Sequence, residues 1–173
     1  MTETRAALIL VDLQHWILGM HPWEPTPAPA LVDACARLRT GFTDVVLVRH
    51  LHADGSGGGP EAPANQLHEL IAPGPDDLLV VKHGLDAFEG TDLDARLAAL
   101  GITDVVIAGL STAHGVAATA RTALASGYRV TLVSDATATV SAAEQDRVLG
   151  RFARAGAAVR TTEEVLAGLV TGS

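Results

Sequence analysis

Six short apolar runs, set apart by helical patterns and polar loops, constrain this chain more than any other feature. They fall at residues 6–11 (AALILV), 44–48 (DVVLV), 78–81 (LLVV), 104–110 (DVVIAGL), 129–134 (RVTLVS) and, more weakly, 157–161 (AAVRT). The runs are continuous rather than alternating, and strands apolar on both faces belong in a sheet covered on both sides. Helical patterns lie between them. Leu31, Ala34, Cys35 and Leu38 stand at i, i+3, i+4 and i+7 of a helix predicted over 31–39. Residues 91–100 open with TDLD, a cap followed by acids in the first turn. Residues 113–126 stop at Gly127, a C-terminal signal. Residues 141–155 open with the capping-box pattern SAAE and stop at Gly156, and 162–169 open with TEEV. Strand–helix alternation of this kind predicts parallel strands joined by right-handed crossovers. The expected fold is α/β, a three-layer α/β/α sandwich with a six-stranded parallel sheet. The 173 residues suit one domain, and neither a repeat nor a linker divides 1–173.

Composition narrows the function classes. Apolar residues make up 48% of the chain and aromatics 3%, so the core must be aliphatic. The formal net charge of -8, with no basic cluster to offset it, argues against a nucleic acid or an anionic membrane as partner. The apolar start at 6–11 is too short for a signal segment or a membrane span. The single cysteine, Cys35, has no disulfide partner within the chain, so a reducing cytoplasm is the expected compartment.

The cations carry a sharper message. Twelve residues are Lys or Arg, and Lys82 is the one lysine. Lysine is a compact charge whose pKa shifts on burial, whereas arginine is a planar fork that stays charged. A lone lysine in an arginine-rich chain is either chance or a position where guanidinium does not serve. Lys82 ends the third apolar run, and Asp12 ends the first. In a parallel sheet that edge is where ligand sites form, although a carboxylate there can also serve as a helix cap. An Asp and a Lys on one edge can satisfy each other's burial and form a proton-handling pair. After the fourth run, GLSTAHGV sets Gly115 at a helix start, where backbone N–H groups face outward.

Other motifs resolve more plainly. GSGGG at 55–59 is followed by Pro60, Glu61 and Pro63 and lies after the second strand. It is therefore not a dinucleotide fingerprint, no cofactor is expected, and a mobile flap is the better reading. The proline-rich stretch 21–29 reads as a loop. His50 and His52 share one face of a strand, but no third metal ligand is evident, so they are expected to be pocket histidines with no metal.

Three stretches, ALILVDLQ at 7–14, residues 80–116 and residues 119–139, together resemble the isochorismatase-like, or cysteine hydrolase, superfamily. The resemblance implies a six-stranded parallel sheet between helices and a catalytic Asp, Lys and Cys. Asp12 matches the Asp. Lys82 matches the Lys, with Ala87, Phe88, Thr91 and Leu93 in register. Gly109, Thr112, Val116, Thr119 and Ala120 fit the motif around the Cys, but Gly115 stands in its place. Thiolate attack is thereby excluded at that position. Isochorismatases in the family also carry Gly there and cleave a vinyl ether without a nucleophilic side chain.

By that analogy Asp12 is a general acid or base assisted by Lys82, and Ser111 and Gly115 supply an oxyanion hole. The family's non-proline cis peptide would fall at Leu110–Ser111. Ser111, His114, Phe88, Trp16 and His52 are the candidate substrate-binding residues, with Trp23 a further candidate wall. Trp16 and Trp23 suit a core role equally well. The expectation is a thiol-independent hydrolase or lyase acting on a small, anionic metabolite, assembled as a homodimer or homotetramer. The alternatives are a degenerate member that binds a metabolite or protein partner, and an amide or ester hydrolase in which water attacks directly.

Overall fold

The computed structural model describes residues 4–171. Its strands are β1 (Ala6–Val11), β2 (Asp44–His50), β3 (Leu78–Lys82), β4 (Asp104–Leu110), β5 (Arg129–Ala138) and β6 (Ala158–Arg160). They form one six-stranded sheet in the order β3-β2-β1-β4-β5-β6, and every pair is parallel. The helices are α1 (His15–Leu18), α2 (Ala28–Arg39), α3 (Leu93–Ala99), α4 (Ala117–Ala125), α5 (Ala142–Arg154) and α6 (Thr162–Thr171).

The inner strands β1, β2, β4 and β5 bury both faces along their apolar runs, whereas the edge strand β3, paired on one side and left uncovered on one face, exposes Leu79 and Val81. On one face Ile9, Val11, Val48 and Ile107 pack against Leu93, Leu97, Ala120 and Phe152. On the other Leu8, Leu10, Leu47 and Val106 pack against Leu31, Leu38 and Val165. Cys35 belongs to this second layer, fully buried, with its thiol directed at the Ala136 carbonyl and pushed up in pKa by burial.

Several elements depart from their expected bounds. Helix α2 begins at Ala28, inside the stretch read as a loop, because Pro27 caps it and Pro29 lies in the first turn, where no N–H is needed. Strand β5 continues to Ala138, since an irregularity between Ile107 and Gly109 brings Thr137 and Ala138 alongside Gly109 and Leu110. The glycine-rich loop is tied down. Asn65 Nδ2 donates to the carbonyls of Gly57 (3.1 Å) and Gly59 (2.7 Å), and Gln66 Nε2 donates to that of Pro60 (2.7 Å).

The strand order positions the site. From β1 the chain moves outward to β2 and β3, then returns to β4 on the other side of β1. The ends of β1 and β4 therefore flank a topological switch point, where connecting loops part and leave a crevice.

Candidate active site

Asp12 follows β1 directly and adopts φ 56°, in the left-handed region, which Asp tolerates better than most residues. Its N–H donates to the Val48 carbonyl at 3.0 Å, so the chain turns while still joined to β2. Gly109 makes this approach possible. A Cβ there would lie 2.2 Å from the Val11 carbonyl oxygen, a backbone collision. Gln14, fully buried, clamps the same corner: its Nε2 donates to the His50 and Asn65 carbonyls, and its Oε1 accepts from His50 N–H at 2.7 Å.

Lys82 starts two strands away, a span of about 10 Å that only a long side chain crosses. Its side chain is 1% exposed, and Nζ reaches Asp12 Oδ2 at 2.8 Å. Nζ also donates to the Gly84 carbonyl at 3.1 Å. The other carboxylate oxygen, Oδ1, is buried and has no hydrogen-bond partner among the described residues. Burial pushes the Asp12 carboxyl up to about 6, against the attraction and hydrogen bond of the Lys82 ammonium. Desolvation thus outweighs the neighbouring cation.

Beyond β4 the Leu110–Ser111 peptide is cis. The chain then enters a widened turn, Thr112–Val116, closed by Val116 N–H donating to the Ser111 carbonyl at 3.1 Å. Gly115 sits in this turn. A Cβ added there would meet Leu110 O at 3.2 Å, Val11 Cγ1 at 3.3 Å and Asp12 Oδ2 at 3.4 Å. A side chain at 115 would point at the carboxylate, so glycine leaves that space open. His114 and Ser111 are joined through Nδ1 and Oγ at 2.9 Å.

These groups line one cavity of about 330 Å³. Asp12, Lys82, Gly115, Ser111, His114, Trp16 and Trp23 all contribute to it. Two other residues expected at the site lie outside its lining. Phe88 is buried in the sheet's core layer with its ring 6.1 Å from that of Tyr128, because Asp86 accepts from Phe88 N–H and turns the chain inward. His52 lies past the end of β2, so it does not share a strand face with His50; it is exposed, its ring 5.9 Å from that of Trp16. His50 takes the lining position instead and shares the Gly84 carbonyl with Lys82. Burial, then the Lys82 charge, lowers the His50 pKa.

The sequence reading did not anticipate Ile17, Met20, His21, Leu85 or Val140, which complete the walls from α1 and from three connecting loops. Two larger grooves, of about 790 and 600 Å³, contain neither Asp12 nor Lys82. No group of three or more potential metal-ligating side chains occurs among the described residues. No helix among them is long and apolar enough to cross a membrane.

Known proteins resemble the chain over much of its length. The Isochorismatase domain family matches residues 6–164. Streptothricin hydrolase of Streptomyces noursei is 39% identical over 136 residues, which is 77% of this chain and 49% of that protein. The chain thus spans about half the length of that relative. Phenazine biosynthesis protein PhzD1 of Pseudomonas aeruginosa is 33% identical over 178 residues, covering 94% of this chain and 85% of its own. Among solved structures, an isochorismatase family protein of Burkholderia thailandensis superposes with a TM-score of 0.86 at 32% identity, covering 95% of each chain. A cysteine hydrolase of Pseudomonas syringae pv. phaseolicola 1448A gives 0.83 at 28% identity, covering 98% of this chain and 94% of its own.

Proposed function

The chain belongs to the isochorismatase family of hydrolases, and from that premise we propose that it hydrolyses a small metabolite without a thiol, using Asp12 to move the proton. One observation carries the reading: a buried carboxyl raised to about 6 and held by Lys82 faces a turn in which Gly115 offers no nucleophile.

A general acid works best when its pKa lies near the working pH. With a vinyl ether, protonated Asp12 gives its proton to the alkene carbon and the electrons of the ether oxygen form an oxocarbenium ion. Water adds to the oxygen-bearing carbon of that ion and returns a proton to the Asp12 carboxylate. The hemiketal then collapses to a ketone and an alcohol. Lys82 fixes the carboxyl through Oδ2, leaving Oδ1 as the oxygen that carries the exchanged proton.

Asp12→Asn tests this reading. It preserves size and the contact to Lys82 while removing the titratable proton. Turnover of a panel of enol ethers, read as ketone released, is expected to fall about 10³-fold with the circular dichroism spectrum and ligand affinity retained. Unchanged turnover rejects the assignment.

A further inference from the structure

We propose that the cavity over Asp12 takes an uncharged, largely apolar substrate rather than the anionic one that the family resemblance implies. This rests on the reading that this cavity is the reactive site.

Charge is the first argument. No arginine lines the cavity. Its one lysine is already engaged by Asp12 and by the Gly84 carbonyl. With Asp12 ionised, as a carboxyl near 6 is at pH 7.5, the two charges cancel, and in either form Lys82 already has two partners, so no second guanidinium or ammonium remains to receive a carboxylate or phosphate. A buried anion without a partner is strongly disfavoured. His50 is held toward its neutral form. The overall charge of -8 adds no attraction for an anion.

The walls are the second argument. Ile17 and Leu110 are buried on the inside, and Trp23 closes the base with its own N–H donated to the Ile17 and Leu18 carbonyls. At the mouth stand Met20 (46% exposed), Leu85 (54%) and Val140 (50%), three of the exposed large hydrophobic residues of the described chain. They come from three different loops, so helix or strand periodicity does not account for their meeting there. An apolar ligand covers this rim and gains from it.

Two polar atoms on lining residues lack partners among the described residues: Asp12 Oδ1 and the Trp16 indole N–H. A neutral ligand with one oxygen acceptor and one donor or transferable proton satisfies both without bringing a net charge.

Matched pairs of probes test the proposal at pH 7.5: 3-phenylpropionamide against 3-phenylpropionate, and hexanamide against hexanoate, with affinities read by calorimetry. The amide of each pair is expected to bind about tenfold more tightly or better. Val140→Arg supplies the missing cation at the rim and is expected to raise carboxylate affinity and narrow or reverse that ratio. Carboxylates that bind as well as their amides, or amides that do not bind, overturn the proposal. So does a Val140→Arg variant whose ratio is unchanged while its oligomeric state shifts, since the rim would then be a contact between copies. Turnover is not the readout, so failure of the Asp12 assignment and failure of this proposal are separable.

Discussion

The two ends of the sheet use the same pairing, a carboxylate against a cation, with opposite results. At the amino-terminal edge Arg5 Nε meets Asp44 at 2.7 Å and Arg129 meets Asp104 through two hydrogen bonds of 2.8 and 2.7 Å. The Arg129 side chain is 63% exposed. Burial pushes the Asp104 carboxyl up, but hydrogen bonds from Arg129 and Thr103 outweigh it and leave it below its ordinary value. At the carboxyl-terminal edge Asp12 has an equally close cation, yet its carboxyl is raised to about 6. Geometry is matched and solvent is not. Where water and two guanidinium donors reach a carboxylate, charge wins; where a carboxylate is buried with one oxygen unpartnered, desolvation wins. The first arrangement holds strands together, and the second leaves a proton available.

The largest expected contrast is catalytic. Asp12→Asn should abolish most turnover, about 10³-fold, whereas Asp104→Asn should leave kcat within about twofold of the parent. Equal losses in the two variants would mean that the carboxyl-terminal edge has no special chemistry.

Next comes stability. Lys82→Met leaves Asp12 buried without its cation, and urea unfolding should show a loss of about 3–5 kcal/mol. Arg129→Met breaks an exposed pair and should cost less than about 1 kcal/mol.

The pH dependence of stability should differ in sign. Asp12 holds its proton in the folded state between about pH 4 and 6, where the unfolded chain has released it, so its stabilising contribution is present in acid and is lost as pH rises through about 6. Asp104 is lowered, so its contribution is present above its unfolded value and is lost as pH falls through its folded one. Unfolding of Asp12→Asn and Asp104→Asn across pH 3–8, each referenced to the parent, should therefore give slopes of opposite direction. The smallest effect concerns Gly115. Gly115→Ala meets contacts of 3.2–3.4 Å and should change stability by about 1 kcal/mol or less, while lowering turnover by crowding Asp12.

The sequence carries the carboxyl-terminal edge unevenly. Asp12 and Lys82 stand out because each ends an unbroken apolar run, and a charge there has few places to go except another charge. The parallel sheet was readable for the same reason. The turn after β4 was readable through its motif, although the Ser111–His114 contact within it was not. Met20, Leu85 and Val140 were invisible because loops have no period and their meeting depends on where three connections end. Phe88 was placed in the cavity by motif register and His52 by sharing a strand face with His50, but one turn at Asp86 sends Phe88 into the core, and β2 ends at His50, so of the two histidines His50 lines the cavity. Strand β5 outran its expected end because Asp135 and Thr137 break its apolar run. Their polar atoms are nonetheless satisfied: Asp135 accepts from Thr162, and Thr137 donates to the Val133 carbonyl.

The proton on Asp12 is the point on which the mechanism stands. A pH titration of the Asp12 side-chain carboxyl ¹³C resonance, assigned by its loss in Asp12→Asn, reads it directly. The expected midpoint is about 6, moving higher in Lys82→Met as the lowering influence of the ammonium is removed. A midpoint at or below the ordinary aspartate value of 3.8 would contradict the account, since the carboxyl would then be ionised throughout the neutral range with no proton to give.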